Sequence, residues 1–216
     1  MKKLALISVF ALILSCFAGC ASPAAHVEGD LRELITKIYG TYNAREDVAA
    51  HLEELAELAK RSDEIGEIIW APDNGLSEEE IAKLNAELEE IQPRRNELNK
   101  YQLPKTAEQD LTSEGTELNP NIVYFIGADD IPFSEGVVSE SMIGSLPYSL
   151  VMLRMEADSD IESAKTKIKN GVDPQKWICV GVDPSDVVVD NIGDLVILIM
   201  APNSKELHEE FLKLAE

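Results

Sequence analysis

The sequence predicts an α+β protein in which N-terminal helices precede a small, mostly antiparallel sheet containing a βαββα unit. Three observations predict it. Apolar residues recur every three or four positions from residue 31 to about residue 98, the spacing of helices with one buried face. After Pro120 they gather instead in short runs, of which Leu195–Met200 contains no polar residue at all. Finally, a capped helical stretch separates the run at 150–155 from two runs flanking Asp190-Asn191-Ile192-Gly193-Asp194, which gives the order strand, helix, strand, strand, helix.

Composition narrows the function. The chain has 216 residues, 19 Lys and Arg against 40 Asp and Glu, and a formal net charge of −21. Such an acid excess, without a basic tract, excludes nucleic acid as a partner and excludes charge-driven adhesion to an anionic membrane. With 45% apolar residues the chain is no disordered acidic tail.

Residues 1–19 have the layout of a secretory signal. Lys2 and Lys3 precede an apolar run over residues 4–14, which as a helix rises about 16 Å, far short of a hydrocarbon core of about 30 Å. Phe17-Ala18-Gly19-Cys20 then resembles the lipobox of bacterial lipoproteins, with two small residues before a cysteine that carries the lipid and Phe17 in place of the usual Leu. Cleavage before Cys20 leaves that residue, lipidated with a diacylglycerol and a palmitate, as the N-terminus of a membrane-anchored chain. The competing reading is an ordinary signal peptide cut near Ala24 or Ala25. Cys16, with bulky Leu14 before it, makes a poorer lipobox. Only Cys179 then remains as an unmodified thiol, so no internal disulfide framework holds the fold.

Residues 20–30 read as a lipidated tether and residues 31–103 as a helical region. Leu31, Leu34, Ile35 and Ile38 share one face of a first helix ending at Gly40. A second starts at Asn43, with Glu46 closing a capping box and Val48, Leu52, Leu55 and Ala59 on its apolar face; residues 62–70 read as short helix or irregular chain. Pro72-Asp73-Asn74-Gly75 is a turn. Ser77 and Glu80 form another capping box, opening a helix with Ile81, Leu84, Leu88 and Ile91 that Pro93 is expected to kink or restart. Residues 104–119 read as a polar connection and 120–216 as the α+β region, packed with the N-terminal helices as one domain. Strands are expected at Ile122–Ile126, 150–155, 187–189 and Leu195–Met200. Helices are expected after Ser159, running to Asn170, and after Asn203.

No group of residues names a reaction. His26, His51 and His208 are scattered, without H-E-x-x-H spacing, and neither a metal nor a cofactor is expected. Cys179 reads as a buried small apolar residue. Asp129 and Asp130, with Asp158 and Asp160 as a similar pair, are the weak cation candidates, although neither pair fits the calcium-loop pattern and both also suit turns and helix starts. Gly171-Val172-Asp173-Pro174 recurs as Gly181-Val182-Asp183-Pro184, which reads as two matched turns. Ser145-Leu146-Pro147-Tyr148 reads as a strand-entry turn, with a binding loop as the alternative.

The stretch from Leu150 to the C-terminus, together with Leu31-Arg32-Glu33-Leu34-Ile35-Thr36-Lys37-Ile38-Tyr39, resembles a family of small bacterial lipoproteins defined only as a domain of unknown function. That resemblance implies an export address and a fold type, and no activity. The leading expectation is a non-catalytic, lipid-anchored extracytoplasmic protein that binds an unidentified partner or supports a cell-envelope assembly. A small-ligand or cation-binding lipoprotein and a hydrolase with unrecognised carboxylates are the alternatives. Because the longest strands are apolar on both faces, each needs cover on both sides. The helices after Ser159 and Asn203 are expected on one face, and the stripe of Val48, Leu52 and Leu55, or a second copy of the chain, on the other.

Overall fold

A computed structural model describes residues 26–112, 115 and 120–216 of the chain. The signal segment and Cys20 lie outside the described residues. The element order is α1 (Leu31–Asn43), α2 (Glu46–Trp70), α3 (Glu78–Leu98), β1 (Thr106–Asp110), α4 (Ile122–Ile126), β2 (Phe133–Ser141), β3 (Ser149–Met155), α5 (Ile161–Gly171), β4 (Val187–Ile192), β5 (Leu195–Met200) and α6 (Ser204–Leu212). The class is α+β, and the expected βαββα unit is β3-α5-β4-β5-α6.

All strand pairs are antiparallel, in the order β1-β2-β3-β5-β4. The two most apolar strands, β3 and β5, lie side by side at the centre, where each residue's alternate side chains meet a different layer. On one face Leu150, Met152, Leu195, Ile197 and Ile199 pack against Leu31, Leu34, Ile35 and Ile38 of α1 and Leu207 and Phe211 of α6. On the other, Val151, Leu153, Val196 and Leu198 pack against Ile122, Phe125 and Ile126 of α4 and Ala164 and Ile168 of α5. The expected need for cover on both faces is met within one chain. The covering elements differ in part from expectation: α5 and α6 lie on opposite faces, and α1 is the main N-terminal cover, joined from the expected stripe of α2 by buried Val48 and partly buried Leu52 but not by Leu55.

Several local expectations change in physically instructive ways. The run Ile122–Ile126 is helical and not a strand, because Asn121 accepts from the Val123 amide at 3.1 Å and Gly127 closes the turn with φ 75°. Gly127 is required twice over, since a Cβ there would lie 2.2 Å from the Gly171 backbone where α4 meets the end of α5. Part of the expected polar connection is the edge strand β1, which buries little and is held by its ladder to β2. Strand β2, whose sequence FSEGVVSES carries few apolar residues, gave no strand signal either. Gly40 does not stop α1, and Asn43 does not cap α2, whose preceding residue Arg45 makes no side-chain cap. Pro93 sits on the exposed side of an uninterrupted α3, where water can reach the carbonyl its ring leaves unbonded. The Ser77 and Glu80 capping box forms as expected. Asp160, not Ser159, caps α5.

Helices α2 and α3 form an antiparallel hairpin that behaves unlike the rest. Of the 25 residues of α2 only Val48, Leu55 and Ile65 are buried, and of the 21 of α3 only Leu98. Leu58, Leu84, Leu88 and Ile91 are half-buried along the seam. Charged contacts fill the remainder: Arg61 to Glu87 at 2.6 Å and Arg94 to Glu54 at 2.6 Å tie the helices together. At the tip Trp70 is 83% exposed beside a turn in which Asp73 and Gly75, rather than Asn74, take positive φ. No helix among the described residues is long and apolar enough to cross a membrane.

Candidate functional site

The register of the sheet gives the molecule two ends. At one end Arg154, the single polar residue of β3's second half, donates to the carbonyls of Val27 and Gly29 at 3.1 and 3.0 Å and faces Asp194 in the β4-β5 turn. Asp194 also lies 3.2 Å from His26. Residues 27–29 are therefore fastened to the end of the sheet where Met155, Phe133 and Leu195 lie. Ser149, Glu140 and Met200 mark the opposite end, about six residues or roughly 20 Å along the strands.

That far end carries a groove of about 540 Å³ built from three connections. The β2-β3 turn contributes Ile143, Leu146, Pro147 and Tyr148. The link from α3 to β1 contributes Lys100, Leu103 and Lys105, and the β5-α6 turn contributes Pro202 and Asn203. The turn itself closes where the Leu146 amide donates to Ile143 at 2.9 Å, while Ser141 receives and returns hydrogen bonds at its base. Ser145-Leu146-Pro147-Tyr148 is thus both the strand-entry turn and part of a concave surface. Beside the groove, Met142 is 68% and Ile143 50% exposed, and Leu146 43%, a contiguous apolar patch on a strongly acidic protein.

The groove is braced from below. Asn203 donates to the Tyr42 hydroxyl at 2.8 Å, and that hydroxyl donates to the Tyr101 carbonyl at 2.8 Å, so the end of α1, the α3-β1 link and the start of α6 are joined. This is why Asn203, expected to cap α6, makes no cap. Burial raises the Tyr42 phenol to about 12. Tyr39, which donates to Ser139 at 2.9 Å, is likewise pushed up to about 12 by burial, and burial also raises the fully enclosed Tyr148 well above its ordinary value. The Tyr39 and Tyr42 hydroxyls stay protonated at neutral pH and serve as braces, whereas the buried Tyr148 hydroxyl has no hydrogen-bond partner among the described residues.

The remaining sequence candidates fall apart in space. Asp129 is exposed, and Asp130 pairs with Lys167 at 2.5 Å, which lowers its pKa. Asp160 accepts from the Ser163 amide as a helix cap, and Asp158 takes φ 65° in a turn. No group of three or more His, Cys, Asp or Glu side chains that would suit a metal ion occurs among the described residues. His51 stacks on Tyr101 with ring centroids 4.1 Å apart, and His208 bonds Asp190 at 2.7 Å. Cys179 is exposed rather than buried, at φ 61°. The reason is that its neighbour Lys176, and not the cysteine, is the inward residue of that loop.

Lys176 carried no sequence signal. Its ammonium, with a side chain 3% exposed, pairs with Glu140, sits 3.3 Å from Ser149 and lies over the rings of Tyr124, Trp177 and Phe125 at 4.6, 5.2 and 5.6 Å. Burial lowers its pKa, and Glu140 opposes that shift. The two matched turns flank this lysine: Asp173 accepts from Gln175 and Asp183 from Ser185, both as side-chain-capped turns. The loop is pinned by a cation held between aromatic faces and a carboxylate.

No family model matches the chain, and no curated protein and no solved structure resembles it.

Proposed function

We propose that this chain is an extracytoplasmic bacterial lipoprotein, anchored by lipid on Cys20, whose role is to bind a protein partner without catalysis. The export leader and Ala18-Gly19-Cys20 supply the anchor. The observation that carries the binding role is the polarity of the fold. Residues 27–29 are fastened at one end of the sheet, and the apolar patch of Met142, Ile143 and Leu146 with its groove is at the other. A chain held by its N-terminus therefore presents that patch away from the membrane. Apolar residues grouped in this way on a charged surface mark a contact site. Lys100 and Lys105 on the rim suit an apolar segment flanked by acidic residues.

The test has two parts. Metabolic labelling with a clickable palmitate is expected to mark the wild type and not Cys20→Ala; label persisting in the mutant removes the anchor. A photo-crosslinking amino acid at Leu146 is expected to trap one discrete partner in cells, lost on Ile143→Asp. No adduct from Leu146, or an adduct indifferent to Ile143→Asp, removes the binding face.

A further inference from the structure

A second concavity lies on the other side of the Asn99–Tyr101 link, in the fork where α2 and α3 leave the body of the protein. It has a volume of about 370 Å³. Its apolar wall includes Leu55 and Ala59 of α2, and its polar rim comprises Asn43, Asn99, Gln102 and Arg95. Arginine is the unusual member. The chain has six arginines, and five of them pair with carboxylates: Arg32 with Asp110, Arg45 with Glu209, Arg61 with Glu87, Arg94 with Glu54, and Arg154 with Glu135. Arg95 has no carboxylate partner among the described residues. Its Nη1 donates to the Ser62 hydroxyl at 2.9 Å, and its Nε is buried with no hydrogen-bond partner among the described residues.

That arrangement is costly and stands in need of a reason. A guanidinium offers five donors in a planar fork, and buried donors are ordinarily satisfied. The surrounding hairpin has no shortage of acids, with sixteen acidic residues against five basic between Glu46 and Leu98. None of the acidic residues lines the crevice. The neighbour Arg94 shows the alternative, taking both Glu54 and Glu97. A crevice with one unneutralised fork, three side-chain amides and an apolar wall has the chemistry of a site for a small organic anion.

The geometry points to a binding site, at the fork of α2 and α3, for a small organic carboxylate with a short apolar body, its carboxylate on Arg95 and its apolar body against Leu55 and Ala59. The apolar wall favours such a ligand over a bare inorganic anion, whose remaining oxygens would face Leu55 and Ala59 unbonded. The crevice shares Asn99, Gln102 and Leu103 with the groove assigned to a protein partner, while Arg95, Leu55 and Ala59 lie outside that groove, so hexanoate binding tests the crevice by itself.

The test is isothermal titration of the purified full chain with hexanoate, hexanol and inorganic phosphate. Hexanoate is expected to bind saturably, hexanol not to bind, and phosphate to compete only weakly. Arg95→Gln is expected to weaken hexanoate binding by about tenfold or more, since a charge-assisted fork is lost. Ala59→Leu, which fills the crevice and leaves Arg95 intact, is expected to abolish binding and to keep the test decisive should Arg95→Gln fail to fold. Hexanoate that does not bind the wild type, binds Ala59→Leu equally well, or is matched by hexanol overturns the site. Saturable phosphate binding that hexanoate cannot displace overturns the carboxylate assignment.

Discussion

The central sheet and the α2-α3 hairpin are built from the same chain on opposite terms. In β5 every residue is buried, and β3 is buried except for partly covered Arg154. In the hairpin four residues are buried across two helices that together contain 46. Fully burying a Leu or Ile side chain contributes about 1.5–3 kcal/mol, so the sheet accumulates stability at nearly every position. The hairpin rests on helix propensity, a capping box and exposed ion pairs, each of which contributes little. The contrast teaches that stability and accessibility are divided between regions: the sheet fixes the shape, and the hairpin and its fork offer the solvent-facing groups.

The largest expected effect comes from removing one cover of the sheet. A chain beginning at Pro120 lacks α1, β1 and the hairpin, which bares the Leu150, Met152 and Ile197 face. It is expected to aggregate or oligomerise in size-exclusion chromatography. Replacing residues 60–88 with a short Gly-Ser linker removes only the outer hairpin, and is expected to leave a monomer with a cooperative melt. A well-folded monomer from the first chain, or loss of folding in the second, reverses the comparison.

A point substitution sharpens it. Ile197→Ala in β5 is expected to cost about 2–5 kcal/mol in urea unfolding, because the layers on both sides prevent collapse into the cavity. Leu88→Ala in the half-buried seam of α3 is expected to cost about 1 kcal/mol. Hydrogen exchange measured beside it is expected to show the hairpin amides opening at lower free energy than those of β3 and β5. Equal protection in both would mean that the hairpin is as firmly held as the sheet.

The smallest effect is a dependence on alkaline pH. Tyr39 and Tyr42 have folded pKa values raised by burial to about 12 from 10.0. The stability they supply while neutral is complete below pH 10 and is lost as pH rises through about 12. Lys176, lowered by burial, acts in the opposite sense below its ordinary 10.5, and is outnumbered. The urea midpoint is therefore expected to fall between pH 10 and 12, and Tyr42→Phe to lessen that fall. A midpoint independent of pH across that range would show the tyrosines to be solvated.

The sequence was legible where local chemistry and burial agree. The run Leu195–Met200 has to be a strand covered on both faces, Ser77 with Glu80 has to start a helix, and Leu31, Leu34, Ile35 and Ile38 share a helix face whatever lies against it. It was illegible where the partner supplies the stabilisation. The polar residues of β1 form a strand because β2 offers backbone groups in register, and β2 itself is held between β1 and β3. Ile122–Ile126 fits either conformation by pattern, and the Asn121 cap and Gly127 turn decide for the helix.

By itself, then, the chain determined its class, the order of its C-terminal βαββα unit and the need for two covering layers, since each depends on side chains near in sequence. Tertiary structure alone decided that α5 and α6 take opposite faces, that Asn203 braces Tyr42 instead of capping its helix, that Lys176 turns inward, and that Arg95 is left without an acid. These outcomes depend on groups distant in the chain, 161 residues apart for Asn203 and Tyr42. Whether a polar group finds its partner over such distances is set by how the layers pack, which no local spacing of residues encodes.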